Sequence, residues 1–450
     1  MKKFMRESKF RHVYAKSSPK EQQFEGVEVS QSRLDGNYVA CNEIFIAAVL
    51  NVAKSLDFTV LRRDKPGRLE TVFKCIGHGK PIVDLSFDPF YPNRLVTGDD
   101  DGTFLCWCIG DDGLTEDLKE PIANLSFSQR RAIQTLWHPS ASDVAIFVNA
   151  DCITIYNMKD YTLIRSIEDL GDSDQIFSAS INKDGTLLAA SFKDKMVRIF
   201  DLYTGKIVHQ FQAHEGSKPT RVQYVDKFGN FLCTSGFNKK SERCVSIWNI
   251  DDTSKPVSNE VVGQGVAAYN VFYDFDVSLL CLFSKGSSIM NIYEMESSGQ
   301  IFSVCSINEG EQLRSGCFAP KLACDVHRNE LMHFVKATDK ALDPISLIVP
   351  RKSDKFQEDI FPDTRGDVPA MSVEDFIAGK KMEPKLMSLK TYEPRVTYAM
   401  PERMKSSVQI NPNKSSMMVR RPAGGINAEE FAKLEARVTA LEKKIESLTK

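Results

Sequence analysis

The sequence predicts an all-β fold: a seven-bladed β-propeller of the WD-repeat type, followed by an extension, a linker and a short α-helical coiled coil. Two sets of markers predict the ring. Five β-like runs end on an aromatic: Trp107, Tyr156, Phe200, Trp248 and Tyr293, spaced 49, 44, 48 and 45 residues apart. An earlier marker in each repeat (Phe87, Trp137, Ile181, Tyr224, Tyr273) recurs at 50, 44, 43 and 49. Two markers advancing together by roughly 40–50 residues are the signature of four-stranded blades. The third observation is a heptad seam at the C-terminus, from Phe431 to Leu448.

Turn-forming residues separate the runs, as at Asp99-Asp100-Asp101-Gly102 and Lys183-Asp184-Gly185. They tolerate the positive φ that tight hairpins require. The blade that begins at Gly77-His78 is the most regular. His78, Thr97, Asp101 and Trp107 are expected to form a buried chain of hydrogen bonds. A catalytic or metal-binding role for His78 has no partners to support it: there is no HExxH, no CxxC and no carboxylate cluster. The other blades are degenerate. In the next one the acid is Asp151, only five residues before Tyr156.

Five marked blades span roughly 75–295, and apolar β-rich stretches flank them. Residues 38–62 include Ile44–Leu50 and Phe58–Leu61. Residues 301–349 include Ile301–Val304 and Ile345–Val349. Each stretch is long enough for one more blade, which makes seven. A strand near Phe10 to Tyr14 is expected to pair into the last blade and close the ring, removing exposed strand edges.

From Pro350 the pattern becomes polar with spaced aromatics. Met371 to Ala378 reads as a short helix capped by Ser372. The expected organisation is a propeller over 1–349, an extension packed on it over 350–394, a basic flexible linker over 395–426 and an oligomerising coiled coil over 427–450. In the linker, Arg395, Arg403, Lys405, Lys414, Arg420 and Arg421 stand against Glu402, six positive charges less one negative, or +5. This is either a solvated tether or a basic contact for an acidic partner.

Gly424-Gly425 precede Asn427, a good N-cap, and Glu430 completes a capping-box arrangement. Phe431, Val438 and Ile445 take a positions, with Leu434, Leu441 and Leu448 at d. A helix this short is marginal alone, so a homo-oligomer is expected. β-branched a residues favour two strands, whereas Arg437 at g and Glu442 at e resemble a trimer pattern. A trimer is favoured, with a dimer next.

Composition bounds the rest. The net charge of −2 gives no overall bias toward nucleic acid or anionic membrane. The longest apolar run, Ile44 to Leu50, is far too short for a membrane span, and no signal peptide is legible. Eleven scattered cysteines read as reduced thiols of a cytosolic chain. Gly263-Gln264-Gly265 is a lone glycine pair without nucleotide-loop context. No nucleophile–base pair is legible and no cofactor is expected. A generic propeller adaptor remains the rival class.

Ordered landmarks carry a family resemblance. They are Ser8-Lys9-Phe10-Arg11-His12-Val13, the Gly77-His78 blade, His214-Glu215-Gly216, Thr234–Phe237 with Ser241-Glu242-Arg243, Lys285–Ile289, and Val349–Asp363 with Pro350-Arg351-Lys352-Ser353-Asp354. Together they resemble the coronins. The resemblance implies binding to filamentous actin, modulation of the complex that nucleates branched actin, and action in the cytoplasm at the cell cortex, in motility and phagocytosis. Many coronins carry an actin-contacting arginine where this sequence has Glu28. The candidate contacts are therefore Lys9, Arg11, Lys239, Lys240, Arg243 and the basic linker, with a buried ion pair as the alternative role for Arg243.

Overall fold

The computed structural model describes residues 7–395, apart from 174, 227, 228, 309 and 354. The linker cations from Arg403 onward and the C-terminal heptads lie outside the described residues.

Seven antiparallel sheets form the ring. Blade 1 has three strands, Val39–Cys41, Phe45–Val49 and Phe58–Arg62. Blades 2 to 6 each have four, beginning at Ile82, Ala132, Ile176, Arg221 and Asn270. Blade 7 contributes Ser315–Phe318, Glu330–Ala337 and Ala341–Ile348. The first strand of each blade lies innermost. The second strands read as continuous apolar runs, such as Phe45–Val49 and Leu279–Phe283, because both faces are buried between neighbouring blades. The outermost strands are largely exposed, as in Ile207–Gln212 and Ser258–Gly263.

The chain closes its own ring. Tyr14–Ser17 runs antiparallel to Ala341–Ile348, from Tyr14 opposite Ile348 to Ser17 opposite Ile345. The expected strand was placed four residues too early. Phe10 and Val13 instead bury against Leu347, Val349, Ile360 and Phe361. Apolar anchoring took precedence over pairing at those positions. Phe24–Glu25 adds a second contact with the same blade-7 strand and pairs in parallel with Gly67–Arg68.

Because every blade is a meander, all hairpins joining strands 2 and 3 lie on one face of the ring. That face is called here the hairpin face. The opposite face carries the extension. Phe356, Ile360 and Phe361 pack into the blade-7 core, while Met371, Val373 and Phe376 enter the core of blades 3 and 4. The short helix Val373–Ile377 is fixed by a capping box between Ser372 and Asp375. Thr364–Arg365 and Leu386–Met387 pair at the centre of this face. Tyr392 then bonds Glu43 of blade 1 through its hydroxyl.

A cavity of about 540 Å³ follows the ring axis. Inner-strand residues such as Val39, Gln134, Ser180 and Gln223 line it, and Arg365 and Leu386 border its extension end.

Candidate interaction surfaces

Two blades carry a buried polar chain behind the hairpin face. In blade 2, Trp107 Nε1 donates to Thr97 Oγ1 at 2.9 Å. Thr97 Oγ1 lies 2.7 Å from His78 Nε2, and His78 Nδ1 lies 3.0 Å from Asp99 Oδ2. The acid is therefore Asp99 and not Asp101. Asp99 Oδ1 accepts the backbone N–H of both Asp101 and Thr103. One carboxylate thus shapes the turn and orients the histidine. Gly102 completes the turn at φ +80°, where a Cβ would lie 2.3 Å from the Arg130 carbonyl oxygen.

Blade 5 repeats the chain without its acid. Trp248 Nε1 donates to Thr234 Oγ1 at 2.8 Å, and His214 Nε2 lies 2.9 Å from the same oxygen. The sequence signal was present: histidine precedes threonine by 20 residues here and by 19 in blade 2. Burial lowers the His214 pKa to about 4. These chains align side chains inside the ring and expose nothing for chemistry.

The candidate cations separate onto opposite faces. Lys239 and Lys240 sit on the hairpin of blade 5. Lys239 pairs with Glu215 at 2.9 Å and remains 77% exposed. Lys240 is exposed beside it. Glu28 is exposed on the same face, where its carbonyl accepts the Asn51 N–H. Lys9 and Arg11 precede the closing strand and lie toward the extension, with Lys9 Nζ donating to the Asp359 carbonyl at 3.1 Å. No single patch contains both pairs.

Arg243 is built into the wall. Its guanidinium stacks 3.9 Å over the Tyr269 ring and donates to Ser284 Oγ at 3.1 Å, tying blade 5 to blade 6. The alternative role named for Arg243, a buried ion pair, is taken by this stack. A Cβ on Gly265 would lie 2.6 Å from the guanidinium, so the glycine makes room for the stack.

A further cluster was not anticipated. The segment around Arg33 to Asp35 crosses toward the axis and is held by four blades. Arg33 Nη2 meets Asp100 Oδ2 at 2.5 Å, and Arg131 Nη1 meets Asp35 Oδ2 at 2.6 Å. Arg221 donates to the Asp35 carbonyl and Lys285 to the Arg33 carbonyl, each at 3.0 Å. Lys285 also lies 3.8 Å over the Tyr38 ring. Burial, assisted by the charge of Arg221, lowers the Lys285 pKa to about 7. Burial pushes Asp35 up, but the hydrogen bond and charge of Arg131, the charge of Arg221 and a backbone hydrogen bond together hold the carboxyl below its ordinary value. The partners come from widely separated segments, so no local pattern marks them.

Known proteins resemble this arrangement. Residues 69–108 match a WD domain, G-beta repeat; residues 342–384 match a type of WD40 repeat; residues 135–227 match the anaphase-promoting complex subunit 4 WD40 domain; and residues 3–68 match a domain of unknown function. Coronin-A of Dictyostelium discoideum is 31% identical over 451 aligned residues, covering 99% of this chain and 97% of that protein. This chain belongs to the coronin family. A coronin-like protein of Saccharomyces cerevisiae is also 31% identical, over 86% of this chain and 61% of the yeast protein. The WD40 domain of Toxoplasma gondii coronin superposes with a TM-score of 0.79 at 28% identity, covering 85% of this chain and 98% of that domain. The chain is thus a coronin-type cytoskeletal WD-repeat protein. Among the described residues, no cluster of three or more histidine, cysteine or carboxylate side chains could hold a metal ion.

Proposed function

We propose that this coronin binds actin filaments through the hairpin face of its propeller and cross-links them through C-terminal oligomerisation. Membership of the family over nearly the full chain carries the reading. The layout of the two faces supports it. The chain's own extension covers one face, leaving the other available to a large partner. There, the exposed Lys239-Lys240 hairpin offers positive charge to an acidic filament.

Glu28 on the same face opposes that attraction, so a single propeller is a weak binder. An oligomer compensates, because linked weak sites raise avidity on a repeating lattice without new contacts. Residues 395–426 act as the basic tether and 427–450 as the oligomerising helix, a trimer before a dimer. Modulation of branched-actin nucleation, in motility and phagocytosis at the cortex, extends the same reading.

Co-sedimentation with filamentous actin tests it, comparing the full chain, a 1–426 truncation and a K239E/K240E variant. Arg243 is left intact because it supports the wall. The truncation should lower apparent affinity roughly tenfold or more and abolish bundling. The charge reversal should weaken pelleting several-fold at low salt and less at high salt. A full chain that does not pellet with filaments rejects the function. Unchanged pelleting by K239E/K240E rejects the hairpin face as the contact.

A further inference from the structure

The first and last blades meet at a seam where two thiols face each other. Cys41 ends the inner strand of blade 1, and Cys317 lies on the inner strand of blade 7. Both are reduced, and their sulfurs are 3.3 Å apart although 276 residues separate them in sequence. Both are half-buried and line the axial cavity of about 540 Å³, which has room for a small oxidant.

We propose that Cys41 and Cys317 form a modification site, a thiol pair that a peroxide converts into a reversible disulfide across the ring seam. The environment suits the two roles. The Cys317 S–H donates to Cys41, and the guanidinium of Arg63 adds positive charge nearby; both lower the Cys41 pKa. Arg63 is fixed there by the carbonyls of Asn42, Glu43 and Ala323. Burial holds Cys317 as a thiol. Thiolate character and access decide which cysteines oxidise.

The Cys41 thiolate attacks one peroxide oxygen. The O–O bond breaks, giving a sulfenic acid and a hydroxide that takes a proton to become water. Cys317 sulfur then attacks the sulfenic sulfur; the S–O bond breaks, and hydroxide leaves with the Cys317 proton as a second water. The thiols lose two electrons and two protons in total, and one peroxide becomes two waters. A small dithiol reverses the change by exchange. The sulfurs must approach from 3.3 Å to about 2.0 Å, a shift that the two inner strands can share. The bond would staple the seam already closed by Tyr14–Ser17.

The test uses the full reduced chain treated with hydrogen peroxide. Peptide mapping without reductant should recover a Cys41–Cys317 linked peptide. The melting temperature should rise by an amount on the order of 5 °C and fall back with dithiothreitol. C41S and C317S should each abolish the link and the rise, whereas C108S should retain both. Two single variants guard against one failing to fold. Oxidation at other cysteines without the 41–317 peptide, or a rise that persists in C41S, would overturn the site.

Discussion

The two faces of the ring are held by different physics. The extension face is sealed by apolar side chains: Phe10, Phe361, Phe376 and Leu389 are all buried. The hairpin face is organised by hydrogen-bond chains and alternating charges: His78–Asp99, Arg131–Asp35 and Lys285 over Tyr38. Apolar burial is non-directional and tolerates salt, whereas exposed charge is weak and screened; on the hairpin face only the His78–Asp99 chain of these three is fully buried. The extension face should therefore govern stability, and the hairpin face recognition. Under the proposed function, that division puts the filament contact on the face whose exposed ion pairs contribute least to folding.

The largest effect should come from deleting residues 1–16. This removes most of the closing strand and the Phe10 and Val13 anchors, leaving Ser346–Ile348 as an exposed edge while Phe24–Glu25 still pairs with Ala341 and Leu342. A melting temperature lower by about 10 °C or more is expected. An unchanged melt would mean that the ring closes by other contacts. Next comes Phe376→Ala. The ring packs edge-on to His138 at 5.1 Å and against Tyr203 at 4.8 Å, with 3% exposure. Removing it should cost about 3–5 kcal/mol in chemical denaturation and leave the loss independent of salt. A loss below 1 kcal/mol would show the extension to be only loosely seated.

Acidification separates the faces further. Burial lowers both His214, behind the hairpin face, and His138, on the extension side, to about 4. In the unfolded chain each takes its proton near 6.5. Between those values the unfolded state binds more protons, so stability falls as pH drops through that window. Each histidine should cost about 2 kcal/mol on going from pH 7 to pH 5. Asp84 acts oppositely, since burial raises it to about 7 and acidification relieves its charge. The measurable quantity is thus a difference. His214→Gln should show a flatter stability profile than the parent between pH 6.5 and 4, and an identical profile would reject a neutral buried His214.

Much of this architecture was legible because propeller blades are local meanders. The third-strand aromatics mark blades 2 to 6 without long-range information, and Trp107 and Trp248 both reach their threonine inside one sheet. The closing strand was legible in kind, but its offset depended on where Phe10 could bury. Three consecutive aspartates at 99–101 are equivalent as letters, and only the turn geometry selects Asp99. Arg243 read as a filament contact or an ion-pair residue because the sequence does not reveal that Gly265 leaves space above Tyr269. The axial cluster was invisible for a simpler reason. Arg33, Arg131, Arg221 and Lys285 converge only when the ring closes.

The smallest expected stability effect is also the most informative about the comparison. Lys239 and Glu215 form an ion pair exposed by 77% and 56%. Such pairs contribute about 0–1 kcal/mol, because solvent screens them and the side chains lose freedom. Lys239→Glu should therefore leave the melting temperature within about 1–2 °C of the parent. It should nonetheless weaken filament pelleting at low salt, since it places a second like charge beside Glu215 on a face that already carries Glu28. Phe376→Ala should do the reverse, lowering stability while sparing filament affinity below its unfolding temperature. If both variants lose stability and binding together, the faces are coupled through the blades and the division of labour fails. If Lys239→Glu alone loses binding and Phe376→Ala alone loses stability, recognition and folding reside on opposite sides of one ring.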